Sequence, residues 1–391
     1  MSDVVIVGAK RTAIGSFLGQ YTGVPTTVLG TAVISGALDH AGVASDQVDE
    51  VIMGCVLPAG LGQAPARQAS LGAGLPTSTG CTTVNKVCGS GMKAIMLGHD
   101  LIKAGSANIV VAGGMESMTN APHLLNGSRT GVRYGAAEFI DHMAFDGLTN
   151  PYDGKAMGVF GDMACETYGF GREALDAFSE ASVKRAQSAQ STGAFKDEIV
   201  PVTVKGRKGE VVVDTDEEPG KIDVSKIPTL RAAFGKDGVL TAASSSKISD
   251  GAAATVLMSA AEASKRGLTP LARIVAHASH AQAPEWFTTA PIKAIANVLD
   301  KAGWTVADVD LFEINEAFAC VAMAPMKDLG IPHEKLNVNG GACALGHPIG
   351  ASGARLVVTL LNALRTRGGK RGVASLCIGG GEATAIAVEL L

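Results

Sequence analysis

Aromatic residues are scarce in this chain: Phe, Trp and Tyr make up 4% of 391 residues, beside 49 glycines and a 47% hydrophobic fraction. Rings therefore cannot fill the core. Ala, Val, Ile and Leu must do so, with many close backbone approaches, which suits an α/β protein. A basic block is also missing and the net charge is −4, so no nucleic-acid partner is expected. No apolar run reaches the roughly 18–20 residues that span a bilayer. No charged-then-apolar leader precedes the strand-like Val4-Val5-Ile6-Val7. The seven cysteines are odd in number and contain no Cys-x-x-Cys, which argues against a disulfide framework or a zinc ribbon. These absences lead to the expectation of a cytoplasmic protein of two or more domain-sized units, without membrane or nucleic-acid partners.

What is present has an order. Val4–Val7 reads as a buried strand, Val28–Leu38 as a helix stopped at Gly42, and Asp49–Gly54 as a second strand. An apolar run from Met92 to Ile102 reads as a buried helix ending near Gly105, followed by a strand from Ile109 to Gly114. Strands alternating with helices at this spacing imply parallel pairing through helical crossovers.

The order then recurs. Leu38-Asp39-His40-Ala41-Gly42 is answered 261 residues later by Leu299-Asp300-Lys301-Ala302-Gly303, and Val48-Asp49 by Val309-Asp310. The same offset carries Gly89-Ser90-Gly91 onto Gly350-Ala351-Ser352, ahead of a second apolar helix, Leu356–Leu364. Val110–Gly114 is expected to answer Leu376–Gly380, with some drift in the offset. So long a period marks two copies of one domain and not a solenoid. Residues 119–247 interrupt the first copy with Gly- and Met-rich loops and a helix over Arg172–Gln187. They also carry a hairpin signal, Ile199–Lys205 and Glu210–Asp214 around Gly206-Arg207-Lys208-Gly209. Asp250-Gly251 reads as a turn before a strand, Ala252–Met258, that completes the first copy, and Gly267 and Pro270 separate the copies. The expected division is 1–118 plus 248–268, an inserted 119–247, and 269–391.

Two-copy α/β proteins place ligands between their halves, at strand ends and helix starts. Chemically able residues fall there. Cys88 opens the first buried helix, where the positive dipole end lowers a thiol pKa. Asn315 and Glu316 end the strand Leu311–Ile314, His347 precedes the second buried helix, and Cys377 ends the strand Val373–Leu376 beside Ile378-Gly379-Gly380-Gly381. Glycine around both cysteines lets backbone N–H groups reach a substrate oxygen. One thiol with a His and an Asn would serve a cysteine hydrolase. Two thiols fit better with a nucleophile and a carbon-acid base, the needs of a Claisen condensation between thioesters or its reversal.

Asn85-Lys86-Val87-Cys88-Gly89-Ser90-Gly91-Met92-Lys93-Ala94 resembles the nucleophile motif of thiolases. Asn339-Gly340-Gly341-Ala342 with Gly346-His347-Pro348-Ile349-Gly350-Ala351-Ser352-Gly353-Ala354-Arg355 resembles their histidine motif. Asn315-Glu316-Ala317-Phe318 and Cys377-Ile378-Gly379-Gly380-Gly381 resemble the other two. The likeness covers essentially the whole chain and is strongest to the short-chain, acetoacetyl-CoA thiolases. It implies duplicated thiolase-like α/β domains in a five-layer α-β-α-β-α arrangement with an inserted loop domain. It also implies CoA thioester substrates with no metal or redox cofactor, and a homodimer or homotetramer, with Asn120–Gly131 as a tetramer-forming loop. Cys88 would carry the acyl group, with His347 accepting its proton. Cys377 would deprotonate the second acetyl-CoA. His347 and a water on Asn315 would hold the enolate oxygen, while the N–H groups of Cys88 and Gly379 hold the tetrahedral oxyanion. The resemblance assigns Met157, Phe234, Ala242, Ser246, Ala317 and Phe318 to CoA and Phe287 to the acyl pocket. The chain departs from the family at Ala156, where many short-chain members have histidine, and over Asp216–Lys226. A ketoacyl synthase would need two histidines where this chain has Asn315 and Cys377. The alternatives are a degradative 3-ketoacyl-CoA thiolase of broader chain length and a non-catalytic acyl-CoA-binding protein.

Overall fold

The computed structural model describes residues 3–206 and 209–391. The first copy builds five long strands: β1 (Val4–Thr12), β2 (Glu50–Gly54), β3 (Gly80–Val84), β4 (Ile109–Ser117) and β5 (Ser249–Ser259), laid side by side as β3-β2-β4-β5-β1. The second builds β6 (Ala272–Ala281), β7 (Leu311–Ile314), β8 (Arg371–Ile378) and β9 (Glu382–Leu390) in the order β7-β8-β9-β6. Leu336 pairs in parallel with Phe312 at the place that β3 takes in the first copy. A short antiparallel contact, Val5 to Arg273 and Ile6 to Ala272, joins the two sheets at β1 and β6.

Only part of the pairing is parallel. β2 runs parallel to β3 and β4, and β7 to β8, but β5 is antiparallel to β4 and β1, and β9 to β8 and β6. In the second copy β9 follows β8 after a three-residue turn, too short for a crossover helix, so antiparallel pairing is forced. Asp250 and Gly251 lie within β5, paired with Ser117 and Glu116, and form no turn. Register also corrects the repeat. Glu50 faces Val110 and its counterpart Leu311 faces Gly372, so β4 and β8 correspond at 262 residues, and Val110 matches Gly372 and not Leu376.

Helices supply the remaining layers. α1 (Thr26–Ala41) covers β1 and β5 on one outside; α3 (Ala290–Ala302) covers β6 and β9 on the other. α1 and α3 stop at Gly42 and Gly303 with φ of 66° and 67°, the left-handed cap that glycine adopts without Cβ strain. Between the sheets lie α2 (Ser90–Ala104) and α4 (Ser352–Arg367), packed on each other. Every residue of α4 from Ser352 to Leu364 is buried, as expected of a helix enclosed on all sides. Where the two cross, a Cβ on Gly353 would lie 2.8 Å from the Met92 Cβ, so glycine is what lets these helices meet.

The insertion holds helices Met157–Tyr168 and Arg172–Thr192 and a hairpin, Val202–Gly206 with Gly209–Val213. The expected Arg207-Lys208 turn lies outside the described residues. Arg11 fastens the insertion to the core: its buried guanidinium meets Asp216 at 2.7 and 2.9 Å and Glu198 at 2.5 Å. Glu198 in turn accepts from Thr359 and Asn362 of α4, each at 3.0 Å. Asp216 is thus a buried tether.

Candidate active site

Cys88 sits in a tight turn between β3 and α2, and the residue before it is strained. Val87 has φ of +44°, a conformation that costs a β-branched residue about 1–3 kcal/mol. Local bonds hold it there: the Val87 N–H donates to Asn85 Oδ1 at 2.9 Å, and the Ser90 hydroxyl donates to the Val87 carbonyl at 2.6 Å. An ion pair from Lys86 to Glu382 of β9 ties the turn to the second copy. The helix itself begins at Ser90, two residues beyond the thiol.

The Cys88 thiol does not have the lowered pKa expected of a helix start. Burial pushes it up to about 11, and the carboxyl of Glu116 adds to the rise; the N–H groups of Gly379 and of Cys88 itself, both aimed at the sulfur, pull the other way. Those two N–H groups, one from each copy, converge on one atom. Cys377 is fully buried in β8, which runs one residue past it to Ile378, so it is not the strand's last residue. Its thiol is held well above the ordinary value by burial and by the nearby Cys88 thiol. The two thiols are neighbours.

His347 is buried between α4 and Asn315. Its Nδ1 lies 2.5 Å from Ser352 Oγ, whose own proton goes to the Pro348 carbonyl at 2.9 Å. Oγ is then an acceptor, so Nδ1 carries the imidazole proton and Nε2 presents a lone pair. Burial and the positive Arg355 push the His347 pKa down to about 3, which keeps the ring neutral at pH 7. Asn315 Nδ2 approaches both ring nitrogens at 3.4 Å. Its Oδ1 is buried without a partner among the described residues and remains free to accept from solvent or substrate. Glu316 points elsewhere: it accepts from Ser182, Asn337 and the Cys343 N–H at 2.7, 2.8 and 3.1 Å and braces the Asn339–Cys343 loop.

The other singled-out residues make the following contacts. Met157 Cε packs on Gly379. Phe234 meets Phe318 edge to face, with ring centres 5.6 Å apart. The Ser246 N–H donates to the Ala317 carbonyl at 3.0 Å, and the His347 N–H to the Lys247 carbonyl at 3.0 Å, so the Ala242–Lys247 segment is stitched to the site. Ala242 is exposed and Ser246 half-buried. Phe287 is buried against Phe160 in the same apolar cluster as Cys377, Ala317 and Phe318.

Comparison with known families decides the relationship. Residues 4–261 match the thiolase N-terminal domain and residues 268–390 the thiolase C-terminal domain. The chain belongs to the thiolase family. This thiolase is 51% identical to an acetyl-CoA acetyltransferase of Chromobacterium violaceum, over 99% of both chains. It is 49% identical to one of Schizosaccharomyces pombe, again over 99% of each. Among solved structures, a thiolase from Ascaris suum in complex with coenzyme A superposes with a TM-score of 0.95 over all of both chains, at 41% identity.

Sequence reasoning missed Glu116. This thiolase buries it completely at the end of β4, where it accepts from the N–H groups of Val56, Leu57 and Gly350 at 2.9, 3.2 and 2.9 Å. It thereby joins the loop after β2 to the His347 loop. Burial outweighs these donors and raises its pKa to about 7. Ser352, which sets the His347 tautomer, was visible only as part of a motif.

Proposed function

We propose that this thiolase is an acetyl-CoA C-acetyltransferase that interconverts two acetyl-CoA with acetoacetyl-CoA and CoA. The reading rests chiefly on the two neighbouring thiols, with Cys88 under paired N–H groups from both copies. In this reading His347 Nε2 takes the Cys88 proton as the sulfur attacks the thioester carbonyl. The oxyanion forms against the N–H groups of Cys88 and Gly379, and CoA leaves as its thiol with the proton from His347. Cys377 passes its thiol proton to His347 Nε2 and, as thiolate, removes a methyl proton from a second acetyl-CoA. The enolate oxygen accepts from the Nε2–H so formed and from a water on Asn315 Oδ1. The enolate carbon attacks acetyl-Cys88, and the Cys88 thiolate leaves and takes its proton back from His347. Fixed dipoles are needed because a thioester α-proton is weakly acidic.

Met157, Phe234, Ala242, Ser246, Ala317 and Phe318 are assigned to the CoA chain, and Phe287 to closing the acyl pocket around a short group. The domain division stays as 1–118 plus 248–268, 119–247 and 269–391. We further propose a cytoplasmic homotetramer that works on CoA thioesters without metal or redox cofactor. Among the described residues no helix is long and apolar enough to cross a membrane. Steady-state thiolysis of four-carbon and longer 3-ketoacyl-CoAs tests the specificity: turnover is expected to fall with chain length, and faster turnover of the longer substrates would make this a degradative thiolase. Intact mass after incubation with acetyl-CoA should show one acetyl group on Cys88; its absence would leave a binding protein.

A further inference from the structure

At the far end of α2 from Cys88, three ligating side chains converge across the two copies. His99 Nδ1 lies 2.9 Å from Asp100 Oδ1, and His277 Nε2 of β6 lies 2.9 Å from the same oxygen and 3.2 Å from His99 Nδ1. The two rings meet edge to face with centres 4.9 Å apart. Successive residues on a helix do not face each other. That His99 and Asp100 nevertheless turn to one point reflects their shared partner on β6.

The donor set suits an ion. His99 Nδ1 and His277 Nε2 face one another at hydrogen-bonding distance, and both face the same carboxylate oxygen. A neutral imidazole can present a lone pair from either nitrogen. A divalent cation in the triangle would accept all three lone pairs at once and take the place of the imidazole protons directed at Asp100. Tetrahedral zinc with bonds of about 2.0–2.1 Å separates its ligand atoms by roughly 3.3 Å. The observed triangle needs to open by only a few tenths of an ångström. Side-chain exposure is 13% for His99, 17% for His277 and 54% for Asp100, so the imidazoles are braced by protein and the carboxylate side faces water. This leaves a fourth position for solvent. Lys301, whose charge acts on His277, spends its ammonium on the His277 carbonyl at 3.0 Å.

We propose that His99, Asp100 and His277 form a binding site for one divalent cation of the zinc class, which clamps α2 of the first copy to β6 of the second. The site is remote from Cys88, and no step of the acyl transfer is assigned to it.

Cobalt titration of the chelator-treated full-length protein tests this. One Co²⁺ per chain is expected, with visible ligand-field bands of nitrogen and oxygen donors and a raised melting temperature. His277→Ala and His99→Ala should each weaken binding by about 100-fold or more, beyond the ~10–100-fold typical of outer partners. A thiolate charge-transfer band, or unchanged affinity in both variants, would overturn the site. Unmodified protein gives an independent reading. Zn²⁺ should protect His99 and His277 from diethyl pyrocarbonate, as read by peptide mass, and labelling of both at the metal-free rate would also overturn it.

Discussion

The two copies share a scaffold and divide the chemistry. Sheet register pairs Gly54 with Asn315 and Cys55 with Glu316, and the helix starts Ser90 and Ser352, 262 residues apart, pair Asn85 with His347 and Cys88 with Gly350. On β4 and β8, 262 residues apart, Met115 pairs with Cys377 and Glu116 with Ile378. Every reactive group thus stands opposite an inert or differently charged counterpart. The first copy contributes the Cys88 thiol and the buried Glu116 carboxyl; the second contributes the Asn315 amide, the His347 imidazole and the Cys377 thiol. The Gly54 backbone lies against Ser90 and Gly91, so a side chain such as Asn315 has no room there: a Cβ at Gly54 would sit 2.6 Å from the Ser90 Cβ. Duplication gave two cradles, and asymmetric side chains made one site between them.

The sharpest break of this division is to remove one thiol from each copy. Cys88→Ala should abolish the acetyl adduct and lower kcat by about 10⁴-fold or more, the scale on which losing a nucleophile acts. Cys377→Ala should still acetylate Cys88 but condense about 10³-fold more slowly, within the 10²–10⁴ of a general base. Rapid-quench mass spectrometry separates the two steps. Normal condensation by Cys377→Ala would remove the second copy from proton abstraction.

Much of this was legible in the chain, because the repeat is carried by elements with strong local rules. Helix ends at Gly42 and Gly303 follow from the left-handed cap, and the Leu311–Ile314 strand was bounded correctly by its neighbours. The antiparallel β5 and β9 were not, since apolar runs carry no strand direction. Cys88, Asn315, His347 and Cys377 stood out by residue type at element ends. Glu116 did not: a carboxylate inside Ala112-Gly113-Gly114-Met115-Glu116-Ser117 looks like a solvated strand end. Only the fold brings the Val56, Leu57 and Gly350 N–H groups to it. The Cys88 pKa also escaped local reasoning, because a helix dipole is a local feature whereas burial is a property of the assembled halves.

That last difference is measurable. With Cys88 raised to about 11 and His347 lowered to about 3, the resting pair is neutral thiol and neutral imidazole, not thiolate and imidazolium. Alkylation of Cys88 by iodoacetamide should therefore rise about tenfold per pH unit from pH 6 to 9, following the thiolate fraction. A plateau beginning below pH 7 would mean that a standing ion pair across the copies replaces proton transfer during attack.

Glu116 sharpens the comparison from the other side, since it is the first copy's hold on the second copy's histidine loop. Burial raises its folded pKa from the ordinary 4.5 to about 7, so folding favours its protonated form. Stability from this group is complete below pH ~4.5 and is lost as pH rises through about 7, by roughly 3 kcal/mol at most. Glu116→Gln cannot titrate and should lack that part of the fall, which melting curves between pH 4.5 and 8 will resolve. One face of its amide would also point N–H groups at backbone donors. Either the Leu57 N–H on Oε1 or those of Val56 and Gly350 on Oε2 must then give way, shifting His347 slightly and lowering kcat several-fold at pH 8 while KM stays nearly constant. A variant with the wild-type pH slope of stability would mean that Glu116 is ionised throughout. Its three N–H partners would then be winning over burial, and the carboxylate would hold the His347 loop as a permanent anion.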